Sequence, residues 1–153
     1  MPSLTVETPE ALKEFVGKEI GVSDWLVATQ ERIDQFAEAT EDRQWIHVDR
    51  ERAKRESPYG STIAHGFLTL SLVSFFTKQV IQVRGTGLVV NYGLNRVRFP
   101  SPVREGSRIR ARVSLLSFKQ LADVREAVFA CSVECEGSDK PCCVAEWIVR
   151  YYK

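Results

Sequence analysis

Residues 65–83, "HGFLTLSLVSFFTKQVIQV", carry apolar side chains on nearly every side of a helix: Phe67, Leu68, Leu70, Leu72, Val73, Phe75, Phe76, Val80 and Ile81. A surface helix shows one apolar stripe, whereas a helix apolar all round must be enclosed. His65, Thr69, Ser71, Ser74, Thr77, Lys78 and Gln79 make the stretch too polar for a bilayer core, so the enclosing material must be protein. The rest of the chain therefore has to supply a wrapping.

The wrapping follows directly in sequence. "LVVNYGLNRVRF" (88–99), "SRIRARVSLLSFKQL" (107–121), "VREAVFACSVEC" (124–135) and "CCVAEWIVRYY" (142–152) are alternating or β-branched runs, each read as a strand. Pro100-Ser-Pro102, Glu105-Gly106 and the 137–141 segment "GSDKP" punctuate them as turns. One enclosed helix, four long antiparallel strands and an earlier extended stretch at 21–29 predict an α+β chain: a curled antiparallel sheet wrapped around a long buried central helix. That is the hot-dog fold. Its long sheet edges need covering or pairing, for which a homodimer is the expected solution.

Residues 1–153 read as one domain, since no repeat, low-complexity tract or Pro/Gly linker divides them. Apolar and charged contents of 44% and 27% are ordinary for a soluble protein, and a net charge of +1 excludes bulk electrostatic attraction to nucleic acid or membrane. "DRERAKRE" (49–56) mixes both signs and reads as the solvated face of a short helix. The first residues lack a basic region followed by an apolar core, so a cytoplasmic location is expected. Cys131, Cys135, Cys142 and Cys143 lack the spacing of a zinc site, and no histidine lies near them in sequence. Cys131, Val133 and Cys135 share a strand face and are expected as small buried hydrophobes.

Upstream, "TPEALKEFVG" (8–17) predicts a short helix with Thr8 as cap, Pro9 in the first turn and Gly17 as stop. Thr29 caps a second helix whose stripe is Ile33, Phe36 and Ala37, running out near Thr40 to Asp42. Asp42 and His47 follow in "EDRQWIHVD" (41–49). Five residues apart on a continuous helix they would point about 140° apart, so they can share a target only around a helix end. An acid and an imidazole so placed offer a general base and a general acid. Gly66, on the first turn of the enclosed helix, offers a backbone N–H free of intrahelical partners, at the positive end of the helix dipole, with no Cβ to obstruct it. Such an N–H suits an oxyanion. Blander readings stand beside these: an acid and a histidine at this spacing occur by chance, helix-start glycines more often serve packing, His65 caps or hydrogen-bonds in the core, and Trp45 covers the core.

The stretch 39–49, "ATEDRQWIHVD", resembles the motif of the MaoC-like dehydratases, the R-specific enoyl-CoA hydratase family, through Asp42, Ile46, His47 and Asp49. Gln44 stands where the family has Asn and Trp45 where it has Pro, a variant similar to the nodulation-protein-N-like branch. "GSTIAHGFLTLSLVS" (60–74) resembles the family's Ile-Val/Ala-His-Gly-Met-Leu segment, with Phe67 for Met, and "NYGLNRVRFPSPVREGSRIR" (91–110) its strand-turn-strand. The resemblance implies a hydro-lyase of fatty acid metabolism that adds water across a trans-2-enoyl thioester, giving the (R)-3-hydroxyacyl product. It implies Asp42 and His47 as the catalytic pair, Gly66 as the carbonyl-binding N–H and Ser74 as a nearby serine. Gln44 is the position where the family's loop-shaping Asn stood. No metal or organic cofactor is implied, coenzyme A being part of the acyl-CoA substrate. Burial against Trp45, Phe67 and Phe75 is expected to strengthen Asp42 as a base. Arg96, Arg98 and Lys119 are candidates for the coenzyme A phosphates, although solvated surface is the commoner role for such residues. The rivals are a hot-dog acyl-CoA thioesterase, which free thiol release would reveal, and a non-catalytic acyl-binding or accessory dehydratase subunit, which predicts loss of Asp or His.

Overall fold

The computed structural model describes residues Met1–Lys153. Strand β1 (Leu4–Val6) is followed by a 3-10 helix (Pro9–Phe15), β2 (Glu19–Val22), β3 (Leu26–Val27), α1 (Gln30–Thr40), α2 (Trp45–Val48) and α3 (Arg50–Glu56). The long helix α4 (Gly66–Val80) then leads into β4 (Ile81–Val83), β5 (Leu88–Arg98), β6 (Arg108–Gln120), β7 (Val124–Cys135) and β8 (Cys143–Tyr152).

The main sheet is antiparallel in the order β2-β6-β7-β8-β5, with β3 also pairing with β6. It curls around α4, which packs on β2, β6, β7 and β8. Register shifts between Asn91 and Gly93, between Leu94 and Arg96, and between Leu115 and Ser117 supply local bends of the kind that curl a sheet. Alternation does the rest. Ile109, Ala111, Val113 and Leu115 of β6 point inward onto Val73, Phe76 and Val80 of α4 in one continuous core. The opposite face of the sheet carries Arg110 and Arg112, both paired with Glu134 at 2.9 Å.

Four expectations need correction. Within residues 8–17, Pro9–Phe15 form a 3-10 helix without a side-chain cap from Thr8, and Gly17 follows it in the left-handed region, at φ 82°. The extended stretch 21–29 is broken between Val22 and Leu26, where Ser23 turns its hydroxyl onto the Ala111 N–H. The central helix ends at Val80, and residues 81–83 become a parallel strand against β1. Most important, this chain encloses α4 on only part of its circumference. Phe67 and Phe75 are 70% and 46% exposed, and they lie with Ser71 on one helical stripe. Beside that stripe, the sheet-edge strand β5 exposes Leu88, Val89, Tyr92 and Leu94.

The cysteines are free and buried in the core wall, as the alternation implied. Burial pushes the thiols of Cys131 and Cys142 up to about 12 and that of Cys143 to about 11. No helix is long and apolar enough to cross a membrane.

Candidate active site

Helix α1 begins as its sequence requires: the Thr29 hydroxyl accepts the Arg32 N–H at 3.2 Å. It ends at Glu41 in the left-handed conformation, φ 65°, a usual way for a helix to stop. The chain re-enters a helix only for the single turn α2. There the His47 N–H donates to the Gln44 carbonyl at 2.9 Å, and Asp49 goes on to cap α3 by accepting the Arg52 N–H at 3.0 Å. Asp42 therefore stands in a loop and His47 on the following turn, around a helix end.

His47 is buried and fixed twice. Its Nδ1 lies 2.7 Å from the Ile63 carbonyl, and its own carbonyl accepts the Gln30 side-chain amide at 2.7 Å. A carbonyl oxygen can only accept, so Nδ1 carries the proton and Nε2 is left as a free base. Gln30 in turn accepts the hydroxyl of Thr62, which is 1% exposed.

His65, the residue before α4, also belongs to this cluster. Its Nε2 donates to the Asp42 carbonyl at 2.9 Å, and its ring stacks on that of His47 with centroids 3.8 Å apart and planes 23° apart. Phe36 packs against its other side at 4.9 Å. The hydrogen-bonding role expected for His65 is thus present, but its partner is the Asp42 backbone. The Nδ1 of His65 is buried without a partner, an arrangement that costs about 1–3 kcal/mol.

One ligand-type atom from each of Asp42, His47 and His65 lies within 4.8 Å of the others. A shared ion does not suit this geometry. Imidazole lone pairs lie in the ring plane, at about 2.0–2.1 Å from a bound zinc. Two rings stacked face to face direct theirs alongside each other, so they do not converge on one point.

Electrostatics single out His47. Burial holds its pKa below the ordinary 6.5, opposed by the hydrogen bond to Ile63; His65 pushes further down and Asp42 pushes up. Asp42 itself is exposed. The expectation that Trp45, Phe67 and Phe75 would bury it fails within this chain, because both phenylalanines point outward and the Trp45 ring carries the Arg52 guanidinium 4.3 Å above it, outside the core. Burial acts on the imidazole of His47.

Gly66 is the first residue of α4, so its N–H lies outside the intrahelical ladder. The space of its missing Cβ is not open to a ligand as expected: it is taken by the Phe99 ring, whose atoms would stand 3.2 Å from a Cβ. Gln44 is exposed and contributes main-chain groups, its N–H 3.5 Å from the Asp42 carboxylate and its carbonyl holding His47. Ser74 lies about 12 Å further along α4, apart from the Asp42–His47 cluster. It lines a cavity of about 420 Å³ with Thr77, Val89, Phe129, Trp147 and Tyr151. Ser74 and Trp147 also border a second cavity of about 230 Å³, and the Trp147 indole N–H donates to the Asn91 side chain at 2.7 Å. Arg96, Arg98 and Lys119 are exposed.

A curled sheet around a helix, with an acid–imidazole cluster at that helix's N-terminus, defines a hot-dog protein of the dehydratase kind. Residues 12–134 match the MaoC-like domain, and the chain belongs to the MaoC-like dehydratase family. It is 51% identical over 148 residues to 3-hydroxyacyl-thioester dehydratase Z of Mycobacterium tuberculosis, covering 96% of this chain and 97% of that one. It is 46% identical over 135 residues to nodulation protein N of Rhizobium leguminosarum bv. viciae, covering 87% and 84%. Among solved structures, an R-hydratase of Pseudomonas aeruginosa superposes with a TM-score of 0.73 over 90% of this chain and 82% of its own, at 22% identity.

Proposed function

We propose that the protein is an (R)-specific enoyl-CoA hydratase, or 3-hydroxyacyl-CoA dehydratase in the reverse direction. The carrying observation is the convergence of the Asp42 carboxylate on a buried His47 whose free Nε2 is the basic nitrogen. Water held between Asp42 and His47 Nε2 gives up a proton as its oxygen attacks C3 of a trans-2-enoyl thioester, and a proton is returned at C2. The atoms of one water are added and no net proton is consumed. The Gly66 N–H, at the positive end of α4, supports the negative charge that develops on the thioester oxygen. Both proton-transfer groups are present, which favours an active enzyme over a silent subunit.

The active species in this proposal is a homodimer in the cytoplasm. The unpaired edge of β5, its exposed Leu88, Val89, Tyr92 and Leu94, and the outward stripe of Phe67 and Phe75 form a continuous kind of surface that a second copy would cover. Covering that stripe is also what would exclude water from the neighbourhood of Asp42. The cavity beside Ser74 is lined largely by apolar side chains, as an acyl chain requires.

The test is loss of enoyl absorbance when short- and medium-chain trans-2-enoyl-CoA is mixed with the protein, with the configuration of the product determined. Formation of the R product, abolished in Asp42→Asn and His47→Gln, supports the proposal. A folded wild type that forms no 3-hydroxyacyl product at any chain length sinks it, and free thiol release in place of hydration identifies a thioesterase.

A further inference from the structure

The chain has only two histidines, and they stack on each other. One of them, His47, is assigned to chemistry in the proposal above, on which this inference rests. We infer that His65 is a positioning residue of that site: it ties the Asp42 backbone to the imidazole stack and covers the face of His47, with the two rings holding their protons on opposite nitrogens.

The tautomers follow from the partners. His47 presents Nδ1 to the Ile63 carbonyl and His65 presents Nε2 to the Asp42 carbonyl. Both acceptors lack a proton, so His47 is the Nδ1–H form and His65 the Nε2–H form. The bare nitrogens are then Nε2 on His47 and Nδ1 on His65. The latter is enclosed with no partner, and the face of His47 against it is covered by a ring in place of water.

Few other charges act on the stack. Asp42 faces it from the α1–α2 loop and works in the opposite direction, favouring a charged His47. On the surrounding segments, Asp34 accepts from Gln30, Arg43 is paired with Glu38 and Glu41, and Asp49 caps α3. Glu105 is paired with Arg50, while Arg104 meets Ile63 through a backbone bridge. Phe36, from α1, is apolar. Burial is the largest influence on His47 and the Ile63 hydrogen bond the next; His65 and Asp42 then act in opposite directions.

The experiment is ¹⁵N side-chain NMR of the full-length protein between pH 5 and 8, where the wild type shows two imidazoles and a His65 variant one. Opposite tautomers of the two rings are expected. In His65→Gln, which can still donate to Asp42 but uncovers the face of His47, the His47 titration midpoint is expected to move to higher pH, whereas in His65→Phe, which still stacks, it should stay near that of the wild type. The acid limb of kcat/KM should move with it. A shared tautomer, or an unchanged His47 midpoint in folded His65→Gln, overturns the inference. If neither variant folds, the wild-type tautomers still decide. The titration needs no substrate, so it stands even if the protein proves to lack hydratase activity.

Discussion

The side-chain amide of Gln30 reaches from the first turn of α1 to the backbone carbonyl of His47, 2.7 Å away, and its other end takes the hydroxyl of buried Thr62. One side chain thus joins α1, α2 and the segment that leads into α4. Gln30→Ala removes a partner from each group. Because Thr62 is 1% exposed, the change should cost about 1–3 kcal/mol. Urea unfolding measures that loss. Turnover should fall more than KM rises, because the displaced group is the imidazole.

Asp42 and His47 should separate in stability while agreeing in activity. Each of Asp42→Asn and His47→Gln is expected to lower kcat by about 10² to 10⁴. Asp42 is exposed, so its substitution should leave unfolding within about 0.5 kcal/mol of wild type. His47→Gln forfeits the bond to Ile63 and should cost about 1 kcal/mol. An active Asp42→Asn enzyme would remove the carboxylate from the mechanism.

The depressed pKa of His47 fixes the sign of a pH dependence. Above 6.5 the ring is neutral in folded and unfolded chains alike, and its stabilising contribution is fully present. As pH drops below 6.5 the unfolded chain binds a proton that the folded chain resists, so stability declines until the folded ring also protonates. His47→Gln should flatten unfolding free energy between pH 7.5 and 5. Glu10 and Glu38 are held below 4.5 by hydrogen bonds that favour their charged forms, and Glu134, whose burial pushes it up, is brought below 4.5 by Arg110 and Arg112, so all three bring a separate loss only in stronger acid. If neutral His47 is the active form, kcat/KM should hold up below pH 6.5.

Gly66→Ala places a methyl group 3.2 Å from the ring of Phe99. Phe99 is partly exposed and can yield, so thermal unfolding should shift by no more than about 1 kcal/mol. Activity should fall by a larger factor, because the ring's displacement disturbs the first turn of α4. Equal effects on both would assign Gly66 to packing alone.

The four thiols should be inert in the native protein. With Cys131 and Cys142 pushed up to about 12 by burial, almost no thiolate exists at pH 8. A disulfide exchange reagent should react only as fast as the chain unfolds, and rapid labelling under native conditions would contradict their placement in the core wall.

Much of this arrangement was legible from the chain. Alternation located β6 to β8 within a residue or so at most ends, because each of these strands has one face on α4, and β5 was located by its β-branched run alongside β8. The end of α1 was readable from Thr29 and the stripe of Ile33, Phe36 and Ala37, and with it the placing of Asp42 and His47 around a helix end. What stayed hidden depends on contacts between distant segments. Gln30 meets His47 from 17 residues away, and His65 meets Asp42 from 23. Nothing local in "TQERID" or "IAHGF" announces those partners. Phe67 and Phe75 misled for a related reason: apolar periodicity marks a face as apolar without recording whether this chain supplies its cover.

The cavity beside Ser74 has one weak boundary. Pro2 lines it, together with Ile81, Gln82 and Val83, and that wall is held by the three-residue ladder of Leu4–Val6 against Ile81–Val83. A three-residue ladder has fewer bonds to break than the long ladders of the main sheet. If it opens ahead of them, the capacity of the cavity is an equilibrium property as well as a volume, and a guest too long for the closed chamber would bind more weakly by the work of opening that wall.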